Sequence, residues 1–406
     1  MYLQLAWRNI WRNPRRTTVI LLAVIIGVWS LIIENALMRG IAMGMIKNGI
    51  ATLTGHVQIH RRGYRNDPVI ENSMTDPQIV VAAIEKHLPP GGQWAGRVRV
   101  NGIASNARHS GGVTIVGIDP AAETNVSFIA KSIITGRQLK ADDPHAILVG
   151  RALLDKYETK IGHKLVLMSQ GTDQEIVSRA FRIVGTFDAE MQSTEKQFVF
   201  ITRQSAQKML QLSNGLSEVS IMVPGRQADV VASRIKQDLP PEIFEVHTWR
   251  ELLPFMTAYL KILDAFIYIW SLVVFIAMGF GIVNTTLMAV FERIREFGLL
   301  KSLGMKPGWI IRQVLTESFL LLIVGSIIGN ILAFLSVYTL SERGIDLSAL
   351  AAGAEYAGMT RIIYPVITAT DWSIANLVVI VLGLVVSIYP AAKAARFTPV
   401  EALAHV

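Results

Sequence analysis

Four long runs without a charged residue restrict what this chain can fold into more than any other feature. They cover Thr17–Ile33, Ala265–Phe291, Ser318–Ser341 and Trp372–Ala392 of a 406-residue sequence. A helix that crosses the hydrocarbon core of a bilayer needs about 20 predominantly apolar residues. The composition agrees, because charged residues make up only 17% of the chain, whereas soluble domains contain about 25%. We therefore predict four transmembrane helices, over 17–40, 258–290, 313–340 and 372–392.

The first run has an alternative interpretation, since a basic start before an apolar stretch is also typical of a cleaved signal peptide. Its apolar run is long, however, and no small-x-small cleavage pattern precedes Arg39. We therefore expect an uncleaved membrane anchor.

The basic residues predict the orientation of the spans. The formal net charge of +8 lies wholly in three short segments that flank the apolar runs, namely residues 1–16, 291–312 and 393–406. An excess of Lys and Arg marks the cytoplasmic side of a membrane protein. We therefore predict that these three segments are cytoplasmic and that residues 41–257 and 341–371 lie outside. The same distribution is a topology signal and not the basic footprint of a nucleic-acid-binding protein, so nucleic acid is excluded as a partner.

The first of these segments, residues 1–16, is predicted to form an amphipathic helix in the lipid headgroup layer. Trp7 and Trp11 are four residues apart, and Arg8 and Arg12 stand beside them. Indole rings favour the membrane interface and guanidinium groups favour lipid phosphates. Membrane lipids are therefore expected partners of this segment.

The long segment 41–257 is predicted to form its own α+β core. Alternating residues indicate strands and 3.6-residue periodicity indicates helices, and a strand–helix–strand order occurs at both ends of the segment. Between them lies a β-rich middle piece, about 108–212. The predicted strand, helix and strand are His56–His60, Asp76–Leu88 and Trp94–Ser105 at the first end, and Glu218–Val223, Ala228–Leu239 and Phe244–Thr248 at the second.

No catalytic constellation is evident in the sequence. His56 and His60 would share one strand face, but no third metal ligand stands near them. The sequence contains no Cys, which excludes disulfides and thiol chemistry, and no GxxxxGK[ST] motif for nucleotide hydrolysis. We expect a non-catalytic chain that binds no metal or cofactor itself.

The segment Asn284–Trp309, NTTLMAVFERIREFGLLKSLGMKPGW, is predicted to contain a short amphipathic helix between the second and third spans. Gly304 suits the left-handed residue after a helix end, and Pro307 suits the first turn of the next helix. An ordinary solvated turn with positive-inside charges is the alternative.

This segment and the chain's closing residues resemble the FtsX/MacB-like (type VII) ABC transporter permeases. The resemblance rests on an Asn late in span two, the pattern E-R-x-R-E-x-G from Glu292, the following L-G and a Gly-rich third span. The tail SIYPAAKAARFTPVEALAHV is similar to the family's ending. The match covers the whole chain in architecture and about 65 residues in motif.

The resemblance implies a bacterial inner-membrane permease subunit with a large periplasmic domain. That domain would have a porter-like part, 41–107 and 213–257, and a Sabre-like insert, 108–212. The helix between spans two and three would dock on a cytoplasmic ABC ATPase dimer, which binds the ATP and Mg. A second permease copy, identical or homologous, would complete the machine. The expected coupling residues are Glu292, Arg293, Arg295, Glu296, Gly298, Leu299, Leu300, Leu303 and Gly304.

Within the family, the chain is most similar to the LolC/LolE lipoprotein-releasing group, which implies extraction of lipid-anchored substrates. The connection Ser169–Arg179 is shorter than the carrier-gripping hook of that group. A MacB-like efflux role with an adaptor and an FtsX-like role in regulating a cell-wall hydrolase are the alternatives, so the external partner is a carrier, an adaptor or a hydrolase. An intramembrane enzyme has little support, because no span holds a His or paired carboxylates. A substrate that enters between the first two spans would meet Val28, Leu31, Glu34, Ile267, Trp270 and Val274.

Overall fold

The computed structural model describes residues 2–225, 227–347 and 362–398. These residues form two compact units, a helical bundle and an α+β domain that comprises the described residues of 45–258. We call the second unit the external domain, after its predicted side of the membrane. The helices are α1 Tyr2–Ile10, α2 Pro14–Gly49, α3 Gln78–His87, α4 Pro120–Glu123, α5 Arg151–Lys156, α6 Gln192–Gln197, α7 Arg203–Leu210, α8 Ala228–Asp238, α9 Trp249–Leu252, α10 Pro254–Glu292, α11 Ile294–Ser302, α12 Pro307–Arg343 and α13 Ala369–Arg396. The strands are β1 Val57–Arg61, β2 Gln93–Ser105, β3 Ser110–Ile118, β4 Ile133–Gly136, β5 Ala146–Gly150, β6 Lys164–Gln170, β7 Ile176–Phe187, β8 Phe198–Thr202, β9 Glu218–Met222, β10 Phe244–Thr248, β11 Ile345–Asp346 and β12 Ile362–Ile363.

Helices α2, α10, α12 and α13 are long and apolar enough to cross a membrane, which confirms the predicted class of four membrane-spanning helices. Each predicted span lies within one of these helices. The helix predicted over residues 1–16 is divided in two, because α1 ends at Ile10 and α2 starts at Pro14. Proline lacks the N–H that a helix interior requires but suits a first turn.

Small residues let the spans pack closely. A Cβ added at Gly329 would lie 2.9 Å from Cβ of Val28, and one added at Gly325 would lie 2.8 Å from Cβ of Val24. α2 and α12 therefore approach each other at the small residues that are four positions apart in the third span, as expected for close helix contacts in membranes. Gly383 of α13 has the same relation to Leu322 of α12.

The external domain is built on a ten-stranded sheet. Its first part has the strand order β10-β1-β9-β2, and every neighbouring pair is antiparallel. The two predicted strand–helix–strand units, β1-α3-β2 and β9-α8-β10, are therefore interleaved, with a strand of each unit between the two strands of the other. This is the split βαβ arrangement of ferredoxin-like folds.

The middle piece of the domain continues the same sheet through β2. Residues Gln93–Arg97 of this strand pair with β9, whereas Val98–Ser105 pair with β3. The change of partner therefore lies inside β2, before the predicted boundary at residue 107. The β6–β7 connection is a tight hairpin, in which the amide of Gly171 donates to the carbonyl of Glu175 at 2.9 Å. Its shortness agrees with the expected departure from a hook.

Part of two sequence features lies outside the described residues. These are the stretch 348–361 of the predicted external loop 341–371 and residues 399–406 of the closing motif. In the described part of the loop, β11 and β12 form a small antiparallel ladder.

Candidate functional site

The short helix between the second and third spans is present as α11, Ile294–Ser302. The first two predicted coupling residues precede it, because Glu292 is the last residue of α10 and Arg293 has non-helical dihedrals of φ −110° and ψ 14°. The end agrees, since Gly304 follows with φ +89° and Pro307 opens α12. A positive φ at this point favours glycine, so the chain reverses at Gly304 without steric cost.

One face of α11 is fixed against the bundle. Ile294 and Phe297 are buried, and Phe297 belongs to an apolar cluster with residues of α10, α12 and α13. The Lys301 ammonium donates hydrogen bonds to the carbonyls of Ala395, at 2.5 Å, and Phe397, at 2.6 Å. A cation is favourable at the C-terminal end of a helix, so Lys301 ties α11 to the end of α13.

The other face of α11 presents apolar side chains to its surroundings. Leu299 is 55% exposed and Leu303 is 77% exposed, whereas Leu300 is partly buried against the apolar cluster and Gly298 is buried. Of the three predicted coupling leucines, two are therefore available to a partner. Leu299 lies on α11 and Leu303 is the residue directly after its end. Two exposed large apolar side chains four residues apart form a surface that a partner's groove can cover.

The charged residues around α11 mostly serve contacts within the chain. Arg293 donates to both oxygens of Glu317, at 3.0 and 3.1 Å, and to Glu296 at 3.1 Å. Its guanidinium also lies 5.2 Å from the ring centre of Phe297, within cation–π range. Burial lowers the pKa of Arg293, but the charge and hydrogen bonds of Glu317, with those of Glu296, outweigh this and raise it.

The N-terminal segment supplies further donors to the same carboxylates. Asn9 donates to Glu317 at 2.8 Å, and Arg12 pairs with Glu296 at 2.5 Å. Asn13 and Arg16 both donate to Glu292, at 3.3 and 3.2 Å. We call the donors Asn9, Arg12, Asn13 and Arg16 the N-terminal polar cluster. These contacts connect the segment to Glu292, which precedes Arg293 in the sequence, and to Glu296, which follows it.

This pairing changes the interpretation of the predicted coupling charges. Glu292, Arg293 and Glu296 hold the position of α11 within the chain, and Arg295 is exposed. Burial raises the pKa of Glu296, but hydrogen bonds from Arg293 and Arg12 outweigh it and lower the pKa. The sequence offered one signal for these contacts, since residues 1–33 contain no acid while Glu292, Glu296 and Glu317 surround the later turn.

The residues predicted to meet a membrane substrate do not share one surface. Val28, Leu31 and Ile267 are buried within the bundle, whereas Trp270 is 45% exposed. The close approach of the helices at small residues accounts for the burial of Val28. The remaining two residues are Val274, which packs partly buried against the bundle core, and Glu34, one of whose carboxylate oxygens is buried without a hydrogen-bond partner among the described residues.

A second charged cluster lies in the external domain and was not found from the sequence. Arg97 is fully buried and donates to Glu123, at 2.5 and 3.0 Å, and to Glu218 at 3.2 Å. It also donates to Ser220 at 2.9 Å and to the carbonyl of Leu53. Burial lowers the pKa of Arg97, and the charges and hydrogen bonds of the two glutamates reverse this and raise it.

Metal chemistry receives no support from the part of the chain that the structure describes. There, no group of three or more His, Cys, Asp or Glu side chains could hold a metal ion. His60 is buried and stacks on Tyr64, with ring centres 5.5 Å apart, so it forms part of the domain core.

Two family models match successive parts of the chain. Residues 17–238, more than half of the chain, match the family model described as MacB-like periplasmic core domain. Residues 268–399 match the model described as FtsX-like permease C-terminal.

Individual relatives are distant but cover most of the chain. The pyoverdine export ATP-binding/permease protein PvdT of Pseudomonas fluorescens is 25% identical, with 98% of this chain and 58% of that protein aligned. The lipoprotein-releasing system transmembrane protein LolC of Xylella fastidiosa is 22% identical, with 95% and 92% aligned. Among solved structures, the periplasmic region of MacB from Actinobacillus actinomycetemcomitans aligns with 52% of this chain and 94% of that chain at 12% identity and a TM-score of 0.36.

Proposed function

This chain belongs to the ABC transporter permeases that combine a MacB-like periplasmic core domain with an FtsX-like C-terminal region, and we propose that it transmits ATP-driven motion to its external domain. The chain spans 58% of the length of the pyoverdine export relative and 92% of LolC. In the proposed arrangement, ATP and Mg bind to a separate pair of cytoplasmic ATPase subunits, and a second permease copy, identical or homologous, completes the complex.

The exposed leucines of α11 are the observation that carries this proposal. Leu299 and Leu303 project from a helix whose opposite face is buried. Buried apolar anchors dominate the energetics of protein interfaces, and these two exposed side chains can supply such anchors. We propose that these two leucines enter a groove of the ATPase subunit.

Motion of α11 would reach the spans through two polar contacts. Lys301 joins α11 to the end of α13, and Arg293 joins its start to Glu317 in α12. A displaced α11 would therefore pull on two spans at once. The long helices α2 and α10 lead directly in sequence into and out of the external domain, which gives the motion a covalent path outward.

The proposed substrate is a lipoprotein or another lipid-anchored molecule that the machine extracts from the bacterial inner membrane. The alignment with LolC over 92% of its length supports this choice. The short β6–β7 hairpin offers little surface for gripping a carrier. The proposal therefore covers extraction of the substrate from the membrane and leaves out its transfer to a carrier. Efflux with an adaptor is the second candidate, because the pyoverdine export protein aligns with 98% of this chain. Regulation of a cell-wall hydrolase is the third.

Replacing both Leu299 and Leu303 by Asp tests the docking proposal. Two carboxylates in an apolar groove lack partners and carry a desolvation cost, so we expect the variant to lose co-purification with the ATPase subunits. Ile243→Asp is the matched control, because Ile243 is 50% exposed in the external domain. Equal recovery of ATPase with the wild-type and leucine-variant chains would contradict docking through α11.

The proposed topology has its own test, because the sequence contains no Cys. A single cysteine at Ser302 is expected to resist an impermeant thiol reagent added to intact spheroplasts, and one at Ile243 is expected to react. The reverse pattern would place the external domain in the cytoplasm and refute the proposal.

Depletion of the chain in cells separates the three functional candidates. Lipoprotein release predicts that lipoproteins accumulate in the inner membrane. Efflux predicts greater sensitivity to an exported compound with normal lipoprotein sorting, and hydrolase regulation predicts a cell-wall or division defect alone.

A further inference from the structure

The N-terminal segment has one side that packs on protein and another that does not. Ala6 and Ile10 of α1 are buried, and Asn9 donates to Glu317 of α12. The opposite side carries Trp7, which is 46% exposed, and Trp11, which is 50% exposed. Their rings meet edge to face with centres 5.8 Å apart. The structure therefore holds two large aromatic side chains together at the surface of the bundle.

The four arginines of this segment divide into two kinds. Arg12 and Arg16 are neutralised by Glu296 and Glu292 within the chain. Arg8 and Arg15 are exposed, and neither has an ion pair or hydrogen bond among the described residues. Two positive charges consequently remain without a counter-ion from the part of the chain that the structure describes. We call the exposed residues Trp7, Arg8, Trp11 and Arg15 the Trp–Arg face; Trp7 and Arg8 lie on α1, Trp11 follows α1, and Arg15 lies in the first turn of α2.

The chemistry of this face selects one class of occupant. Indole rings favour the boundary between acyl chains and headgroups, and guanidinium groups bind phosphate oxygens with bidentate geometry. The first acid of the sequence is Glu34, so no carboxylate of the segment competes for the arginines. Arg15 lies in the first turn of α2, a membrane-spanning helix, which places it within reach of lipid headgroups.

We propose that the Trp–Arg face binds the phosphate headgroups of anionic phospholipids, with Arg8 and Arg15 as the charged ligands and Trp7 and Trp11 as the interfacial anchors. This assignment goes beyond the coupling function and does not depend on it. It separates the arginines that fix α11 from those that face lipid, although all four lie within nine residues of sequence.

The test measures lipid retention by the full-length chain without its ATPase. The purified protein in detergent is given equal amounts of phosphatidylglycerol and phosphatidylcholine with the same acyl chains, and the bound lipids are counted by native mass spectrometry. The wild type is expected to retain phosphatidylglycerol in preference. Each juxtamembrane basic residue contributes about fivefold in affinity, so Arg8→Gln with Arg15→Gln should lower the preference by ~25-fold.

Two variants control for net charge and for folding. Lys306→Gln with Arg312→Gln removes two exposed positive charges from another segment and should leave the preference within about twofold of the wild type, by comparison with the fivefold expected of each residue in the face. Arg8→Lys with Arg15→Lys keeps the charges but not the bidentate geometry, so its preference should lie between those of the glutamine variant and the wild type. Equal losses in the two glutamine variants would show a diffuse charge effect, and an unchanged preference in the Arg8 and Arg15 variant would show no site. Either result overturns the proposal.

Discussion

The molecule contains two clusters of the same chemistry in different surroundings. In each, one arginine lies between two glutamates: Arg97 between Glu123 and Glu218 in the external domain, and Arg293 between Glu296 and Glu317 beside α11. All three side chains of the first cluster are almost completely buried. In the second cluster each side chain keeps some contact with its surroundings. The difference in burial predicts different energetics and different roles.

The buried cluster is suited to holding one structure. Removing one partner of a buried ion pair leaves an uncompensated charge and costs about 3–5 kcal/mol. Arg97 also donates to the carbonyl of Leu53, which receives hydrogen bonds from Ser220 at 3.0 Å and Gln58 at 3.3 Å. Leu53 has φ +68°, an uncommon conformation for a residue with a branched side chain. The cluster therefore stabilises the turn through which the chain enters the domain.

The partly buried cluster is suited to holding a position that can change. Arg293 and Glu317 are mostly buried, whereas the Arg12–Glu296 pair is 66% and 37% exposed. Exposed pairs contribute about 0–1 kcal/mol each, so the contacts on this outer side define the place of α11 at a low energetic cost. They join three separate parts of the bundle: the N-terminal segment, the end of α10 and the start of α12. A helix that is pushed by a partner needs this combination of defined position and low cost of displacement.

The largest expected effect concerns the buried cluster around Arg97. Arg97→Met should lower the free energy of unfolding of the external domain by about 3–5 kcal/mol, because Glu123 and Glu218 lose their cation in a dry site. Thermal unfolding of the full-length chain would show a drop of about 6–20 °C for a domain of this size.

The control for Arg97 is Arg137→Met, which breaks the more exposed pair with Asp143. Loss of that pair should lower the free energy of unfolding by no more than about 1 kcal/mol. Arg97→Met combined with Glu123→Gln and Glu218→Gln should recover much of the lost stability, since no buried charge is then unpaired. Similar losses in the Arg97 and Arg137 variants would contradict the role assigned to burial.

The next effect concerns the stability of the external domain in acid, which depends on a second buried side chain, His60. Burial lowers the pKa of His60 from 6.5 to about 4, while the charge of Glu218 acts in the opposite direction. The unfolded chain therefore binds a proton at a higher pH than the folded domain does. Stability is fully present above about pH 6.5 and is lost as the pH falls towards 4, by roughly 3 kcal/mol in total.

Unfolding midpoints measured between pH 7 and pH 4 check this expectation. His60→Gln, which cannot titrate, should flatten the curve over this window whatever its effect on stability at pH 7. A wild-type curve that is already flat between pH 6.5 and 4 would show that folding does not lower the pKa of His60.

A smaller effect is expected at the partly buried cluster itself. Arg293→Gln removes the charge that faces Glu317 and Glu296 but leaves Asn9 and Gln313 as donors to Glu317. Hydrogen bonds to charged groups contribute about 1.5–3 kcal/mol each to stability. We therefore expect the free energy of unfolding to fall by an amount near the lower end of that range. Arg312→Gln is the control, because Arg312 is exposed and stacks on Trp309. The free energy of unfolding of the bundle, measured for both variants, shows whether Arg293 contributes more to stability than Arg312 does.

The two regions also show how far sequence reasoning could reach. The apolar runs, the reversal at Gly304 and Pro307 and the strand–helix–strand order are local patterns, and local patterns predict local structure. Arg97 could not be found in this way, because alternation in β2 places Val98 and Val100 in the core and suggests that Arg97 faces solvent. Its burial depends on α4 and the turn at Leu53. The pairing of Arg16 with Glu292 joins residues 276 positions apart, which no single-sequence periodicity encodes.

The smallest effect tests whether the N-terminal segment positions α11. Arg12 and Glu296 form a partly exposed pair, so Arg12→Glu should lower stability by only about 1 kcal/mol or less. It places a third carboxylate beside Glu292 and Glu296, and repulsion should displace α11 and weaken ATPase association. Exchanging the charges, Arg12→Glu with Glu296→Arg, should restore association even though Arg293 then meets a like charge.

Arg8→Glu, on a residue without a partner in the described chain, is the matched single reversal and should leave association unchanged. Rescue by the exchange would assign the effect to the pair, because a general change in charge or fold cannot be repaired by adding a second substitution at a residue 284 positions away. Failure of the exchange, with full loss in both single reversals, would instead make the segment's net charge the relevant property and remove Arg12 from the positioning of α11.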